Sequence, residues 1–380
     1  MNKDNGARIV MAVSNDLLTD QRVMRHVEAL REAGCEVMTV CRTDLPVRWQ
    51  RGWRFYAAFN WRLWRRLRRM ECDVIWANDT DTLLGCWMAS LKCQRVNEST
   101  GQRGVKLVMD AHELFPEVPE IQDKPVVQWV WRTIEKWLMP KCDALITVCQ
   151  SIADYYKERY GVDMKVVRNL GSYELGVRSY ELGERSERVL LYAGKVNVGR
   201  GVDWAIDALE WLPECRLMVA GDGDLLEEMK GYAAQKAWSD RIEFTGRLMP
   251  EEMTALESKA DVGLVMLEDR GLSYHYALPN RIGAFVQAGV PMVVSDLPEM
   301  AAVVRKFGIG EVINLTEKTE RNRNRNCSDS SVRESKALAE AVEKVLAREW
   351  SEGDFAAARE DMDWNKEKQK LIDICYTTFC

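Results

Sequence analysis

Long apolar runs are missing from this 380-residue chain. The N-terminal stretch MNKDNGARIVMAVSNDLLTDQR holds only six strand-like residues, Ile9 to Ser14. A secretory signal core or a membrane span needs many more, so neither is expected. Histidine is scarce. His26, His112 and His275 are too dispersed to suggest a zinc site. The eleven cysteines form no CxxC pair and sit mostly in apolar runs, which reads as reduced core thiols in a cytosolic chain. An excess of basic charge is absent too: the net charge of −6 argues against a general nucleic-acid binder.

What is present has a globular balance, 47% hydrophobic and 29% charged, over a length that suits two domains better than one. Strand-like and helix-like segments alternate. RIVMAVS precedes DQRVMRHVEALREAG, in which Val23, Val27 and Leu30 recur at helical spacing and Gly34 ends the run. EVMTVC, CDVIWAN, KLVMDAH and CDALITVC continue the series. It restarts with RVLLYAG, CRLMVAGDG, RIEFTG, ADVGLVML, VPMVVSD and GEVINL. This βαβ order predicts an α/β chain of two doubly wound parallel sheets, with a seam near residues 166–176. In such sheets ligands bind at the carboxyl ends of the strands, so two units would present those ends across one cleft. Residues 317–336 are polar and read as a mobile surface loop. The segment DMDWNKEKQKLIDICYTTF places Trp364, Leu371, Ile374 and Cys375 at roughly helical spacing, which predicts a final helix.

Several strand ends carry residues suited to phosphate chemistry. YAGKVNVGRG, Tyr192 to Gly201, combines glycines and an asparagine with Lys195 and Arg200. Glycines let backbone amides approach a ligand, and two cations suit a diphosphate. The stretch matches neither GxGxxG nor a Walker A loop, and an ordinary turn with two solvated cations is the alternative. VAGDGD and FTGRL are two further glycine turns after strands. ALPNRIGAFVQAGVPMVVSD, Ala277 to Asp296, reads as a short helix entered by a proline and an asparagine, with Arg281 in its first turn. A helix N-terminus with a nearby cation binds phosphate. In VMDAHELFPE, His112 and Glu113 follow a strand, where the histidine either packs locally or hydrogen-bonds a substrate hydroxyl or phosphate. Asp79 and Asp81 read either as metal ligands or as caps of the helix that follows.

Arg42 to Arg69 holds nine arginines and a single acid, Asp44. Within FYAAFNWRLWRRLRRM, Tyr56, Phe59, Leu63 and Leu67 share one face, while Arg62, Arg65, Arg66 and Arg69 crowd the other beside Trp61 and Trp64. Such a helix either docks on an anionic membrane or packs its apolar face and solvates the rest.

Taken in order, these stretches resemble the retaining family-4 glycosyltransferases of the GT-B fold. The likeness rests on VSNDLLTDQRVMRHVEALREAGCEVMTV, DAHELFPE, ITVCQSIADYYKERYGV followed by VVRN, YAGKVNVGRG, VAGDGD, FTGR and LPNRIGAFVQAGVPMVVSDLPEM. It implies Rossmann-like domains over 1–170 (acceptor side) and 171–355 (donor side), with 356–380 a helix crossing back. It implies transfer of a sugar from a nucleotide-diphosphate donor to a glycan or lipid-linked acceptor, with retention, no required metal or other cofactor, and no nucleic acid. Arg200 falls where the family places a cation on the donor diphosphate, with Lys195 near its companion. Leu278, Pro279, Asn280 and Arg281 match the loop whose amides meet that diphosphate, and His112 matches the histidine near the transferred sugar. Gly194, Asn197, Gly221, Gly223, Gly246, Arg247, Glu268 and Glu299 are the other donor-side candidates, and Asp16, Asp20 and Glu113 the acceptor-side ones. A cytoplasmic protein is implied, with peripheral membrane contact through residues 55–69. One departure stands out: relatives often carry two glutamates eight positions apart, and here those positions are Tyr276 and Ala284. Two alternatives share the fold, a non-catalytic protein that binds a nucleotide sugar or a partner enzyme, and a nucleotide-sugar epimerase.

Overall fold

The computed structural model describes residues 6–17, 20–50, 52–100, 104–171, 187–314 and 327–379. Two compact units divide the chain. Residues up to Asn169, with Gly271–Ser273 and the segment from Trp364, form the first; Leu170–Arg270 and Tyr274–Asp363 form the second.

The first unit runs β1 (Arg8–Ala12), α1 (Gln21–Glu32), β2 (Glu36–Val40), α2 (Trp53–Leu67), β3 (Val74–Asn78), α3 (Thr80–Thr100), β4 (Lys106–Ala111), α4 (Pro125–Leu138), β5 (Ala144–Thr147), α5 (Gln150–Tyr160) and β6 (Lys165–Val166). The six strands are parallel in the order β2-β1-β3-β4-β5-β6. β1 and β3 are buried along nearly their whole length. Strands covered on both faces need such continuous apolar runs.

The second unit runs β7 (Arg188–Ala193), α6 (Val202–Ala208), β8 (Cys215–Ala220), α7 (Leu226–Ala233), β9 (Ile242–Gly246), α8 (Pro250–Glu257), β10 (Val262–Val265), α9 (Leu272–His275), α10 (Asn280–Ala288), β11 (Met292–Ser295), α11 (Pro298–Phe307), β12 (Gly310–Ile313), α12 (Cys327–Ala347) and α13 (Glu352–Asp361). Its parallel order β9-β8-β7-β10-β11-β12 is the doubly wound 3-2-1-4-5-6 arrangement. The order reverses between β7 and β10 here, and between β1 and β3 in the first unit, which opens a crevice at the strand carboxyl ends.

The two-sheet α/β class read from the sequence is the one observed, with three local differences. β6 is only two residues long and lies inside the expected seam, too short for a periodic signal. Residues 327–336 are helical, the opening of α12, whose Leu338, Ala339, Ala341, Val342 and Val345 bury in the second unit's core. The rest of the expected loop, 317–326, lies outside the described residues. The segment after 355 is divided. α13 places Phe355 and Ala358 in the second unit's core, and the return to the first unit begins at α14 (Trp364–Phe379). Among the described residues, no helix is long and apolar enough to cross a membrane.

α14 is held by Glu367, which is fully buried and accepts from the Arg168 backbone N–H at 3.0 Å and its Nε at 2.8 Å. Lys370 Nζ adds a third bond at 2.9 Å. Removing the carboxylate leaves these donors unmatched. Glu367→Ala should therefore cost about 2–3 kcal/mol and lower Tm by several degrees in a thermal melt. An unchanged Tm would show that α14 is anchored otherwise.

Candidate active site

In the first unit, the ends of β1, β3 and β4 gather a charged cluster. Asp110, near the end of β4, is fully buried. Arg22 of α1 grips it with both arms, Nε to Oδ2 at 2.9 Å and Nη2 to Oδ1 at 2.7 Å, and gives Nη1 to the Val167 carbonyl at 2.8 Å. Burial disfavours the Asp110 carboxylate, but the Arg22 charge and His112 outweigh it and hold its pKa well below the ordinary value. His26 lies 3.2 Å from the same carboxylate, packed between the rings of Trp76 and Trp364. Burial and then the Arg22 charge push His26 down to about 4, so it is neutral.

His112 has the opposite fate. Its Nδ1 is 3.3 Å from Asp79 and 3.9 Å from Asp20, and its Nε2 is 3.5 Å from Asp110. Burial works against its cation, yet Asp79 and Asp110 lift it to about 9. Its backbone N–H also donates to Asp79 Oδ1 at 2.8 Å. Asp79, read from the sequence as either a metal ligand or a helix cap, thus turns its carboxylate to His112. It does so from a left-handed backbone (φ 62°), the one non-glycine among the described residues with positive φ. Such a conformation costs about 1 kcal/mol or more and recurs at functional sites. Asp81 accepts from Ser14 Oγ at 2.5 Å, while its second oxygen is buried without a hydrogen-bond partner. Burial pushes both aspartates up to about 7.

These carboxylates line a cavity of about 420 Å³ within the first unit, together with Ser14, Arg42, Gln50, Phe55, Tyr56, Glu113 and Phe115. Of the acceptor-side candidates, Glu113 lines this cavity and Asp20 caps α1 through Val23 N at 3.1 Å while reaching towards His112. Asp16 is exposed in the turn after β1.

In the second unit, the turns after β7, β8 and β9 are laced together. Gly194 N donates to the Ala220 carbonyl at 2.9 Å, Gly221 N to Gly246 at 2.8 Å and Val196 N to Asp222 at 2.8 Å. A side chain at Gly221 would run into the Gly194 carbonyl at 1.8 Å, and one at Gly223 into the Val196 carbonyl at 2.2 Å. The glycines are there so that these backbones can touch. Asn197 accepts from Asp224 N at 3.0 Å. Lys195 pairs with Asp222 at 2.5 Å, and Arg247 lies exposed nearby, adding to the pull on that carboxylate.

Arg200 stacks its guanidinium 4.8 Å above the Tyr274 ring, and its Nε is buried without a hydrogen-bond partner. Both Arg200 and Arg281 lie close enough to Tyr192 for their charges to act on its hydroxyl. α10 starts after Pro279 with no side-chain cap, so Leu278 and Pro279 lead directly into an open helix N-terminus at Asn280 and Arg281. The Arg281 side chain is not free: it is ion-paired with the buried Glu257 of α8, whose other oxygen has no partner. Glu268 is paired with Arg270, and Glu299 sits in the first turn of α11. Ala284 is buried in the core, so no carboxylate projects from α10.

Sequence reasoning missed Arg22, Asp110, Tyr274 and Glu257. Arg22 and Asp110 lay inside stretches already read as helix and strand, with no local sign that they meet 88 positions apart. His112 offers a test. Its pKa is raised above the ordinary 6.5, so its stabilising charge is complete below that pH and lost as pH rises through about 9. The stability difference between the parent and His112→Gln, from denaturant melts, should shrink between those pH values. A difference independent of pH would remove the charge from His112.

Residues 20–169 match the description Glycosyltransferase Family 4, and residues 187–348 match Glycosyl transferases group 1. The glycogen synthase of Mycobacterium tuberculosis is 29% identical over 197 residues, which cover 45% of this chain and 47% of that protein. The chain thus spans about half the length of that curated relative. Among solved structures, sucrose-phosphate synthase from Thermosynechococcus elongatus superposes with a TM-score of 0.71 at 16% identity, over 98% of this chain and 99% of that one. Anabaena Alr3699/HepE in complex with UDP-glucose gives 0.66 at 14% identity, over 98% and 100%. These structural likenesses carry the GT-B fold, and the two family matches together take in both sheets: the chain belongs to the family-4-type GT-B glycosyltransferases.

Proposed function

We propose that this protein is a retaining glycosyltransferase that moves a sugar from a nucleoside-diphosphate sugar to a glycan or glycolipid acceptor without a metal. The observation that carries this is Arg200. Its guanidinium is held in place by Tyr274, yet its buried Nε has no hydrogen-bond partner. Buried donors are nearly always matched, so an open one at a glycine-built strand end points to an anionic ligand.

The chemistry asks for this arrangement. When the glycosidic phosphate bond breaks, negative charge grows on the departing diphosphate. Arg200 and the uncapped start of α10 are fixed donors that stabilise that charge without reorganising. Lys195, exposed and paired with Asp222, is the companion cation. Arg281 contributes its backbone amide, since its side chain belongs to Glu257. The diphosphate oxygen takes the acceptor hydroxyl's proton as the new bond forms on the same face of the sugar. In the first unit, the cavity beside His112 takes the acceptor. Asp81 suits a hydroxyl donor there, because its second oxygen lacks a partner. The exposed arginines Arg62, Arg65, Arg66 and Arg69 fit peripheral contact with an anionic membrane on the cytoplasmic side.

A thermal-shift series with uridine, guanosine and adenosine diphosphate sugars tests the reading. The right donor at a hundred times its Kd should stabilise the fold by about 2.7 kcal/mol. Arg200→Ala should abolish that shift and cut transfer by about 100-fold or more while the apo melt stays unchanged. Near-normal turnover would sink the diphosphate role. EDTA should leave the rate unaltered, and a strict metal requirement would overturn the metal-free mechanism.

A further inference from the structure

Topology places one helix layer on one face of the first sheet. The step from β1 to β2 runs one way across the sheet, whereas β2 to β3, β3 to β4 and β4 to β5 run the other way. Right-handed crossovers therefore put α1 on one face and α2, α3 and α4 on the opposite face. α3 packs against both α2 and α4, in the middle of that layer.

The outer side of this layer is unusual. α2 buries Phe55, Phe59, Leu63 and Leu67 and exposes Trp53 (73%) and Trp61 (54%) among arginines. α4 buries Trp131, Glu135 and Leu138 and exposes Val126 (72%), Trp129 (66%), Val130 and Trp137 (66%). The exposed α4 positions fall at i, i+3, i+4 and i+11, a single apolar stripe. No acid occurs in α2, and the one acid in α4, Glu135, is buried. The two helices thus show water only tryptophan, valine, arginine, lysine and uncharged residues, on a chain whose net charge is −6. Large aromatics are costly to leave in water, and scattered singly they need no account; a stripe of them beside unopposed arginines does.

We infer that this layer docks on the surface of an anionic lipid bilayer, with the α4 tryptophan–valine stripe entering the headgroup region and the α2 arginines meeting lipid phosphates. This deepens the peripheral contact proposed above and rests on it, adding α4 as the apolar half of the surface. Charge complementarity decides the occupant. The exposed faces of α2 and α4 carry cations and no acid, which suits a phosphate-rich plane, and tryptophan prefers the boundary between headgroups and acyl chains. The position also fits the acceptor. Tyr56 and Phe115 line the first unit's cavity, and both meet Trp131 of α4 edge-on, at 5.0 and 5.1 Å between ring centres. A glycan carried by a lipid would be presented beside that cavity.

Vesicle co-sedimentation decides the matter, comparing phosphatidylglycerol-containing phosphatidylcholine vesicles with pure phosphatidylcholine. The parent should bind the anionic vesicles alone, and more weakly as salt rises. Trp129→Ser with Val130→Ser and Trp137→Ser, and separately Arg54→Gln with Arg65→Gln, Arg66→Gln and Arg69→Gln, should each weaken binding by about tenfold or more. All are exposed positions, and circular dichroism melts confirm that the variants fold. Absence of parental binding, or variants that bind like the parent, would overturn the proposal. So would a parental dimer that the tryptophan variant converts to monomer, since the stripe would then cover a second copy. The nucleotide-sugar thermal shift should survive in both variants. Its absence from the parent counts against the transferase reading alone; failed parental vesicle binding removes membrane contact altogether and leaves the transferase reading intact, whereas loss of binding in the arginine variant but not in the tryptophan variant removes only the α4 stripe.

Discussion

A single buried carboxylate organises the first unit's site. Removing a carboxylate from water costs several kcal/mol unless it is paired and hydrogen-bonded. Asp110 meets that demand through the two-armed grip of Arg22, which also ties α1 to the Val167 carbonyl. Because Asp110 stays ionised, the histidines around it diverge. His26 shares the carboxylate with Arg22 beside it and stays neutral. His112, between Asp79 and Asp110, stays charged. Two imidazoles about one carboxylate therefore hold different charge states: burial and then Arg22 keep His26 neutral, while Asp79 and Asp110 outweigh the burial of His112.

The strained backbone at Asp79 belongs to the same logic. Its N–H donates to the Asp110 carbonyl while its carboxylate accepts from His112 N, so the left-handed turn is held from both ends. Asp81, in the first turn of α3, is left with a buried oxygen that has no hydrogen-bond partner among the described residues. The second unit repeats the pattern in different residues. Arg200, in the turn after β7, and Glu257, paired with Arg281 of α10, each keep one buried atom without a partner among the described residues. Unmatched buried polar atoms are expensive, and among the described residues Asn78, Asp81, His112 and Arg200 carry them at or just after strand carboxyl ends, while His26 and Trp76 carry them deeper in the first unit.

Ala284 changes meaning in this setting. A glutamate there would project a carboxylate from α10. The chain buries a methyl group instead and brings Glu257 from α8 to the first turn of α10, paired with Arg281. The carboxylate near this helix therefore comes from a different element. The reading that Arg281 itself neutralises phosphate gives way to one in which Glu257 occupies it and the helix N-terminus remains open.

How much of this was legible in the sequence follows from the range of each force. Alternating strand and helix patterns, the glycine turns after β7, β8 and β9, the amphipathic α2 and the stop of α10 at Gly289 are local matters, written in neighbouring residues. Family motifs added the placement of Arg200 and His112 within that frame. Three things were decided only by tertiary structure: the charge of each histidine, the partner of Arg281, and the meeting of the α2 and α4 outer faces in one layer. Each depends on residues far apart in sequence whose electrostatics or exposure exist only once the sheets have formed. α12 and α13 make the same point for packing. Their polar, weakly periodic sequences became helices because a few apolar residues, Leu338, Val342 and Phe355 among them, found a core to fill.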